Sequence, residues 1–346
     1  MTEDAPATDS RVASFVRALD LLLGRPLALA ESFAVAVSGG PDSLALLALA
    51  HAALEDRVHA VTVDHQLRPT SGDDVLHAAA AAAALGVPHV TLVWTGAKSL
   101  ANLQATARAA RYALMRDWCA TNAIAWLATA HHADDAAETL LLRLARGSGA
   151  AGLGGIRPRR DLGSGVTVLR PLLGFRKDQL ASVVTEYGWT AADDAANRSA
   201  AFDRTRARAL LAEIPWLEPG RLAASAAYLA DAEAALAWTA DLAWISRCDA
   251  DSDLVSVDAA GLPHDIARRL VVRAVAALAS DTTPRGDGVE RLLAALAAGG
   301  VATLAGVVAR SDAGDRQRWH FSRAAPRRNH DACGTPPLRC DRSVQQ

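Results

Sequence analysis

The sequence of 346 residues is 51% hydrophobic and 21% charged, with a formal net charge of −2. This length suits two domains and is ample for a buried core, while the charge balance argues against a uniformly basic nucleic-acid binder. There is no apolar run of the ~18 residues that a membrane span needs, the first residues lack the pattern of a secretory signal, and four scattered cysteines do not form a disulfide framework. We therefore expect a reduced, cytoplasmic protein without a membrane partner.

Short apolar runs alternate with helical patterns in the first half of the chain. Runs of this length are typical of strands that are buried on both faces of a parallel sheet. Strands are predicted at 33–37, 58–63, 89–94, 124–129 and 166–170. Helices are predicted at 43–54, 73–85, 103–121, 132–146 and 177–187. The alternation predicts right-handed βαβ units and a doubly wound parallel α/β sheet.

The composition changes in the second half of the chain. The segment 146–165 is rich in glycine and arginine and is too long for a simple connector, so we expect it to be functional or disordered. Helices are predicted at 221–245, 266–279 and 288–298, and the end of the chain lacks periodicity. The expected domains are an N-terminal helical region (1–30), an α/β domain (31–215), a smaller α-helical domain (216–310) and a disordered tail (311–346).

A glycine-containing segment joins the first predicted strand to the first predicted helix. Its residues are Ser38, Gly39, Gly40, Pro41, Asp42 and Ser43. Glycines let the backbone approach an anion, and the helix N-terminus offers unpaired N–H groups, while Asp42 could provide an oxygen ligand to a phosphate-bound Mg²⁺. A Gly-Pro turn that caps a helix explains the same local spacing. The spacing differs from both GxxxxGKS/T and GxGxxG, which disfavours Walker-type NTPases and dinucleotide enzymes.

A second group of charged residues, 131–139, follows the fourth predicted strand. On a helix, His131, Asp134, Asp135 and Glu138 share one face. Three carboxylates on one stripe repel each other, so this pattern predicts a nearby cation, which is a metal, a lysine or an arginine. An acidic first turn that interacts favourably with the helix dipole is the alternative.

Further charged residues fall near the same predicted sheet edge. Asp64 ends the second strand, and Arg108 and Arg111 lie one helical turn apart. Their spacing suits a phosphate of ATP or of RNA, although a solvated helix face would also carry such arginines.

These blocks together resemble a known family. The segment SGGPDS resembles the SGGxDS loop of the N-type ATP pyrophosphatases (the PP-loop superfamily), which cleave ATP between its α- and β-phosphates to adenylate a substrate. The blocks 63–68, 101–112, 131–153, 170–173 and 193–208 resemble, in order, those of the bacterial tRNA(Ile)-lysidine synthetases. Together the blocks cover roughly residues 30–215. The chain departs from the family pattern at Gln104, Phe202 and Thr205, where glutamate, tyrosine and asparagine are common.

The resemblance implies a ligase that forms a C–N bond. ATP would adenylate the C2 oxygen of the wobble cytidine in an isoleucine tRNA with a CAU anticodon, and pyrophosphate would be released. The ε-amine of free L-lysine would then displace AMP and give lysidine. The implied cofactors are ATP and Mg²⁺, and homodimer formation is left open.

The resemblance also implies roles for individual residues. The loop Ser38–Ser43, with Asp64 and Arg111, would bind ATP, and Asp42 would be the magnesium ligand. The residues expected to take part in catalysis are Asp42, Arg108, Asp134 and Glu138, the last two by recognising lysine. The residues expected to contact tRNA are Arg157, Arg159, Arg160, Arg204, Arg206 and Arg208.

Two other functions stay open at this level. A tRNA thiolase of the same superfamily would adenylate a base and insert sulfur, but such relatives typically need paired cysteines, and the sequence has no CxxC pair. A non-catalytic RNA-binding module on a degenerate loop is the second, and neither Asp42 nor the acidic helix would help it to bind an anion.

Overall fold

The computed structural model describes residues 7–66, 71–96, 103–189, 203–279, 284 and 286–324. The chain divides into two compact units, one up to Glu233 and the other from Ala234 onward. This boundary falls within a single helix, Pro219–Arg247, and therefore differs from the boundary at residue 215 that composition suggested. Pro219 begins that helix, because the missing N–H of proline costs nothing in the first helical turn.

The first unit is built on a six-stranded sheet. Its strands are β1 (Phe33–Ala36), β2 (Val58–Asp64), β3 (His89–Val93), β4 (Trp126–Ala128), β5 (Arg159–Asp161) and β6 (Thr167–Leu169). Their spatial order is β3-β2-β1-β4-β6-β5, and all pairs are parallel except β5 with β6. The doubly wound parallel sheet that the sequence predicted is confirmed.

Helices bury both faces of this sheet. The helices of this part of the chain are α1 (Ala7–Leu23), α2 (Pro41–Leu54), α3 (Ser71–Ala84), α4 (Leu103–Thr121), α5 (Ala133–Ala145), α6 (Ala150–Leu153), α7 (Lys177–Glu186), α8 (Asp203–Glu213) and α9 (Pro219–Arg247), the last of which runs into the second unit. Because strand side chains alternate between faces, Phe33 and Val35 of β1 join one core cluster while Ala34 joins another, together with Met115 of α4. In the described part of the chain, no helix is both long and apolar enough to cross a membrane.

The glycine- and arginine-rich segment forms helix α6 and a hairpin between β5 and β6. The hairpin turns through Gly163, Ser164 and Gly165, all with positive φ. Arg159 ties the hairpin to the body of the unit, since its Nη1 donates a hydrogen bond of 2.7 Å to the carbonyl of Leu22 and its guanidinium lies over the Trp126 ring. The segment 146–165 is therefore a short helix and a short strand joined by turns and loops, not one continuous loop.

The second unit differs from the all-helical domain that the sequence suggested. It contains α10 (His264–Leu278) and α11 (Asp287–Ala297), close to the predicted helices, but also a five-stranded antiparallel sheet in the order β7-β8-β11-β10-β9. The strands are β7 (Cys248–Ala250), β8 (Leu254–Asp258), β9 (Val301–Leu304), β10 (Val307–Ser311) and β11 (Arg318–Arg323).

The two helices and the sheet of this unit share one core. Val257 of β8, Phe321 of β11 and Leu270 of α10 belong to the same buried cluster. Strand β11 lies in the part expected to be a disordered tail, while residues 325–346 lie outside the described ranges. Strands of three to six residues with one buried face have too short an alternating pattern to be distinguished in the sequence from irregular chain.

Candidate active site

The two predicted motifs meet at one point of the parallel sheet. Strands β2 and β3 lie on one side of β1, whereas β4 and β6 lie on the other, so the order of connection reverses between β1 and β4. Open α/β sheets bind ligands in the crevice at the carboxyl ends of strands at such a point. The segment Ser38–Ser43 follows β1 and the segment 129–132 follows β4, so both motifs lie at this crevice.

Ser43 holds the loop that follows β1. Its Oγ accepts a hydrogen bond of 3.0 Å from the Ser38 N–H and donates one of 2.8 Å to the Gly40 carbonyl. Gly40 is the N-cap of α2 and Pro41 the first helical residue, and no side chain caps this helix. The positive end of the α2 dipole therefore faces the loop, as in helix termini that bind anions.

The loop approaches α3 so closely that only glycine fits at position 39. Gly39 has a φ of 79°, and a Cβ placed there would lie 2.4 Å from the carbonyl oxygen of Asp74. Because that oxygen belongs to the backbone of a helix, it cannot move aside as a flexible side chain would.

A buried histidine joins this loop to the acidic helix α5. His132, the N-cap residue of α5, is 4% exposed. Its Nε2 lies 3.5 Å from Asp42 Oδ2 and 3.6 Å from Asp135 Oδ2, and its Nδ1 lies 3.4 Å from Asp134 Oδ2. Burial lowers the pKa of His132, but the hydrogen bonds and charges of these carboxylates outweigh burial and raise it to about 10. His132 is therefore an imidazolium at neutral pH.

The imidazolium is the cation that the clustered carboxylates require. The sequence had suggested a metal, a lysine or an arginine for this role, and had grouped Asp134 and Asp135 with Glu138. In the structure Asp42 takes the third place around His132, while Glu138 lies elsewhere. Within the described residues, no group of three or more His, Cys, Asp or Glu side chains could hold a metal ion.

Asp134 also fixes the start of helix α7. Its Oδ2 accepts a hydrogen bond of 3.0 Å from the backbone N–H of Lys177, the first residue of that helix. Burial raises the pKa of Asp134, but His132 and the Lys177 N–H lower it by more than burial raises it, so the pKa is below its usual value. Asp134 thus links α5 to α7 as a carboxylate.

Glu138 lies on the same helix with different partners. It is 2% exposed, and its Oε1 accepts a hydrogen bond of 2.9 Å from Arg208 Nε of α8. Its other oxygen, Oε2, is buried without a hydrogen-bond partner among the described residues. A buried carboxylate oxygen without a donor is costly, so this atom is suited to a ligand that brings a positive N–H group.

His131 is neutral, unlike the neighbouring His132. Burial and the positive charges of Arg170, Arg108 and Arg204 lower its pKa to about 3, and its Nδ1 lies 3.0 Å from Thr129 Oγ1. A neutral His131 therefore stands on a cationic side of the site, whereas His132 stands on the anionic side.

Arg111 and Arg108 diverge although they are one helical turn apart. Arg111 Nε donates a hydrogen bond of 3.1 Å to His65 Nε2. Burial, and to a smaller extent the charge of Arg111, lower the pKa of His65 to about 4. The His65 ring meets Trp94 edge-on, with centroids 6.0 Å apart. Asp64, which precedes His65, accepts the Gln66 N–H at 2.8 Å. Arg108 instead lies over the Tyr112 ring.

Three residues of the site were not among the predicted site residues, although His65 and Arg170 lie in the family-like blocks 63–68 and 170–173. His65 and Trp94 immediately follow β2 and β3, and Arg170 immediately follows β6. Their position at the carboxyl ends of parallel strands is the signal that could have identified them.

The arginines that were predicted to contact RNA differ in surroundings. Arg157, Arg160, Arg204 and Arg206 are exposed, whereas Arg208 pairs with Glu138 and Arg159 is tied to Leu22 and Trp126. Of the family-like block 193–208, residues up to Phe202 lie outside the described ranges.

Comparison with known proteins gives consistent results. Residues 12–214 match the family model of a PP-loop domain. The chain is 38% identical over 317 residues to the tRNA(Ile)-lysidine synthase of Zymomonas mobilis subsp. mobilis, covering 91% of this chain and 94% of that protein. It is 40% identical over 297 residues to the tRNA(Ile)-lysidine synthase of Novosphingobium aromaticivorans, covering 85% of this chain and 90% of that protein.

Among solved structures, the U34-tRNA thiolase NcsA from Methanococcus maripaludis, with its 4Fe-4S cluster, matches with a TM-score of 0.53. The match covers 64% of this chain and 78% of that chain at 16% sequence identity. At this identity the likeness shows the fold alone.

We expect Gly39→Ala to impair the loop. The substitution combines a positive φ, which costs about 1–2 kcal/mol for a residue with a Cβ, with a contact of 2.4 Å to Asp74. Gly24→Ala is the matched control, because Gly24 also has a positive φ but a Cβ there would meet nothing within 4 Å. Thermal unfolding should show a larger decrease for Gly39→Ala, and ATP titration should show weakened binding for this variant only. Equal decreases and equal ATP affinities would contradict the close approach.

We expect His132→Gln to destabilise the first unit by about 1–3 kcal/mol, since it leaves the half-buried carboxylates of Asp42, Asp134 and Asp135 without their cation. The folded-state pKa of His132 is about 10, above the usual value of 6.5, so its stabilisation is complete below pH 6.5 and is lost as the pH rises toward 10. The melting temperature of the unsubstituted chain should therefore fall across this range by more than that of His132→Gln. Parallel pH profiles would show that His132 is not protonated in the folded state.

Proposed function

The chain belongs to the PP-loop family and, within it, to the tRNA(Ile)-lysidine synthases, and from this premise we propose that it ligates L-lysine to the wobble cytidine of an isoleucine tRNA with a CAU anticodon. ATP adenylates the C2 oxygen of the cytidine with release of pyrophosphate, and the lysine ε-amine then displaces AMP. The observation that carries the proposal is the meeting of the phosphate loop and the acidic helix at the sheet's switch point, in a chain similar to these relatives over nearly its whole length.

ATP binds with its phosphates at the loop Ser38–Ser43, on the positive end of the α2 dipole. Asp42 is one-third exposed, so one of its oxygens can serve as a ligand while the other faces His132. A single carboxylate suits Mg²⁺, which keeps several waters and is held mostly by the phosphates of its substrate. When bound, the ion would offset the charge that develops on the leaving pyrophosphate.

Lysine recognition is assigned chiefly to Glu138. Its unpaired, buried Oε2 suits an ammonium group, and Arg208 fixes the other oxygen. A carboxylate beside the ε-ammonium can also accept its proton, which is necessary because only the neutral amine is a nucleophile. Asp134 already binds His132 and the N-terminus of α7, so it would support lysine binding indirectly, by holding α5 and α7 in place.

RNA contact is assigned to the exposed arginines on the cationic side. Arg157, Arg160, Arg204 and Arg206 can pair with phosphates, whereas Arg208 and Arg159 have structural partners. Because tRNA is its substrate, we place the protein in the cytoplasm. Homodimer formation stays a proposal that sedimentation of the purified chain would test.

The thiolase alternative is not favoured. Curated relatives at about 40% identity are lysidine synthases, while the thiolase structure is only 16% identical. Burial raises the pKa of Cys119 to about 12 and, with smaller charge effects, that of Cys248 to about 11, so neither thiol is readily ionised for sulfur transfer.

We expect Cys119→Ala and Cys248→Ala each to retain activity within about twofold, apart from a modest loss of stability at the buried Cys119. Label transfer from lysine to tRNA, measured beside thermal unfolding, separates the two effects. A loss of lysine transfer by more than tenfold in a folded variant would show that the thiol takes part in the reaction.

The direct test follows labelled lysine into an isoleucine tRNA transcript in the presence of ATP and Mg²⁺. Asp42→Asn should lower transfer by more than 100-fold, because it removes the proposed magnesium ligand and a carboxylate partner of His132. Asp56→Asn is the matched control and should retain full activity, because Asp56 is an exposed aspartate two residues after the end of α2. A parallel reaction carries labelled cysteine in place of lysine. Pyrophosphate release without lysine transfer would overturn the lysidine assignment, and no reaction at all would favour a non-catalytic RNA-binding role.

A further inference from the structure

A groove of about 390 Å³ runs along helix α4, outside the loop that holds ATP. Its floor is formed by alanines spaced four residues apart, among them Ala109, and one wall by Arg108, Tyr112 and Arg116 at the same spacing. Residues four apart line up along one side of a helix. The row of alanines therefore lies beside a row of long side chains, two of which are cationic. The hairpin strand β5 provides the opposite wall with Arg160 and Asp161.

Two of the arginines are held in fixed positions. The guanidinium carbons of Arg108 and Arg160 each lie 5.3 Å from the centroid of the Tyr112 ring, and Tyr112 is 7% exposed. Such contacts between cations and an aromatic ring orient the guanidinium planes before any ligand arrives. Three arginines line the groove with one aspartate, Asp161, whose Oδ1 accepts the Gly163 N–H at 2.8 Å. One of them, Arg116, also forms an ion pair of 2.7 Å with the neighbouring Asp117, so three positive charges stand against two negative ones. The groove therefore carries net positive charge.

The positive charge continues from the groove to the active site. Arg108 and Arg170 both lower the pKa of His131, after the larger effect of burial, so both lie close to that ring. His131 directly precedes His132, which contacts Asp42 of the phosphate loop. The cationic surface of the groove thus extends as far as His131, next to the anionic side of the site.

We propose that this groove binds the phosphodiester backbone of a single-stranded RNA segment, the anticodon-loop nucleotides that adjoin the modified cytidine. The inference rests on the proposed function for the identity of the RNA. Guanidinium groups pair with phosphate oxygens in a bidentate manner, and a floor of small side chains leaves room for the sugar-phosphate chain. Contacts of this kind set the position of the RNA and do not read its sequence.

The test measures binding of the isoleucine tRNA and of its isolated anticodon stem-loop to the full chain over a range of salt concentrations. The double variant Arg116→Ala/Arg160→Ala should raise the dissociation constant of both RNAs by at least tenfold. It should also decrease the slope of log affinity against log salt by about 1–2, because each lost phosphate contact contributes about 0.7 in single strands. Ala109→Leu should weaken binding without a change of slope, since it fills the floor and leaves every charge in place.

Arg17→Ala is the control for general loss of positive charge. Arg17 is an exposed arginine of α1 whose Nη2 donates a hydrogen bond to Ser14 within the same helix. The KM for ATP should be the same in Arg116→Ala and Ala109→Leu as in the unsubstituted chain, because neither residue belongs to the phosphate loop. Thermal unfolding of each variant establishes that it is folded.

The outcomes separate this inference from the function on which it rests. Unchanged affinity and salt slope in a chain that transfers lysine would overturn the groove assignment and leave the function standing. Groove-dependent RNA binding in a chain without lysine transfer would overturn the function and keep an RNA-binding groove. Binding of a polyglutamate peptide that the groove variants abolish, while their affinity for RNA is unchanged, would show that the groove takes an acidic protein segment instead.

Discussion

The arrangement of the site depends on one buried imidazolium. His132 lies within 3.6 Å of carboxylate oxygens from Asp42, Asp134 and Asp135. Without a cation these carboxylates would repel each other, and this repulsion would destabilise the contact between the phosphate loop and α5. With the cation, the loop after β1, the N-terminus of α5 and the N-terminus of α7 become one connected element, since Asp134 also accepts the Lys177 N–H.

The neighbouring histidines divide the site into two electrostatic halves. Burial and then nearby arginines keep His131 neutral, while aspartates around His132 keep it charged. The chemistry of lysidine formation needs both halves, because ATP and RNA phosphates require cations whereas an attacking ammonium requires a carboxylate that can take its proton. Glu138 pairs with Arg208 through Oε1 only, and its Oε2 stays without a partner in the described structure.

The parallel half of the fold could be predicted from the sequence, whereas the second unit could not. Strands such as β1 are short apolar runs because both faces are buried, and their alternation with longer helical patterns is typical of a parallel α/β sheet. In β8 and β11, buried and exposed positions alternate over only five or six residues, which is too short to distinguish a strand. Helix α9 hides the boundary between the two units, because a continuous helix shows no linker composition where compact packing changes.

The sequence by itself determined the chemistry that is available: the glycine loop, the carboxylates after β4 and the order of strands that brings both to one sheet edge. Only the tertiary structure decided which of these groups meet. It placed Asp42 rather than Glu138 beside His132, turned Arg111 toward His65 and Arg108 toward Tyr112, and left His131 neutral while His132 is charged. The physical reason is that ion pairing and protonation depend on burial and on distances of a few ångströms between residues far apart in the chain, and spacing along one segment contains neither.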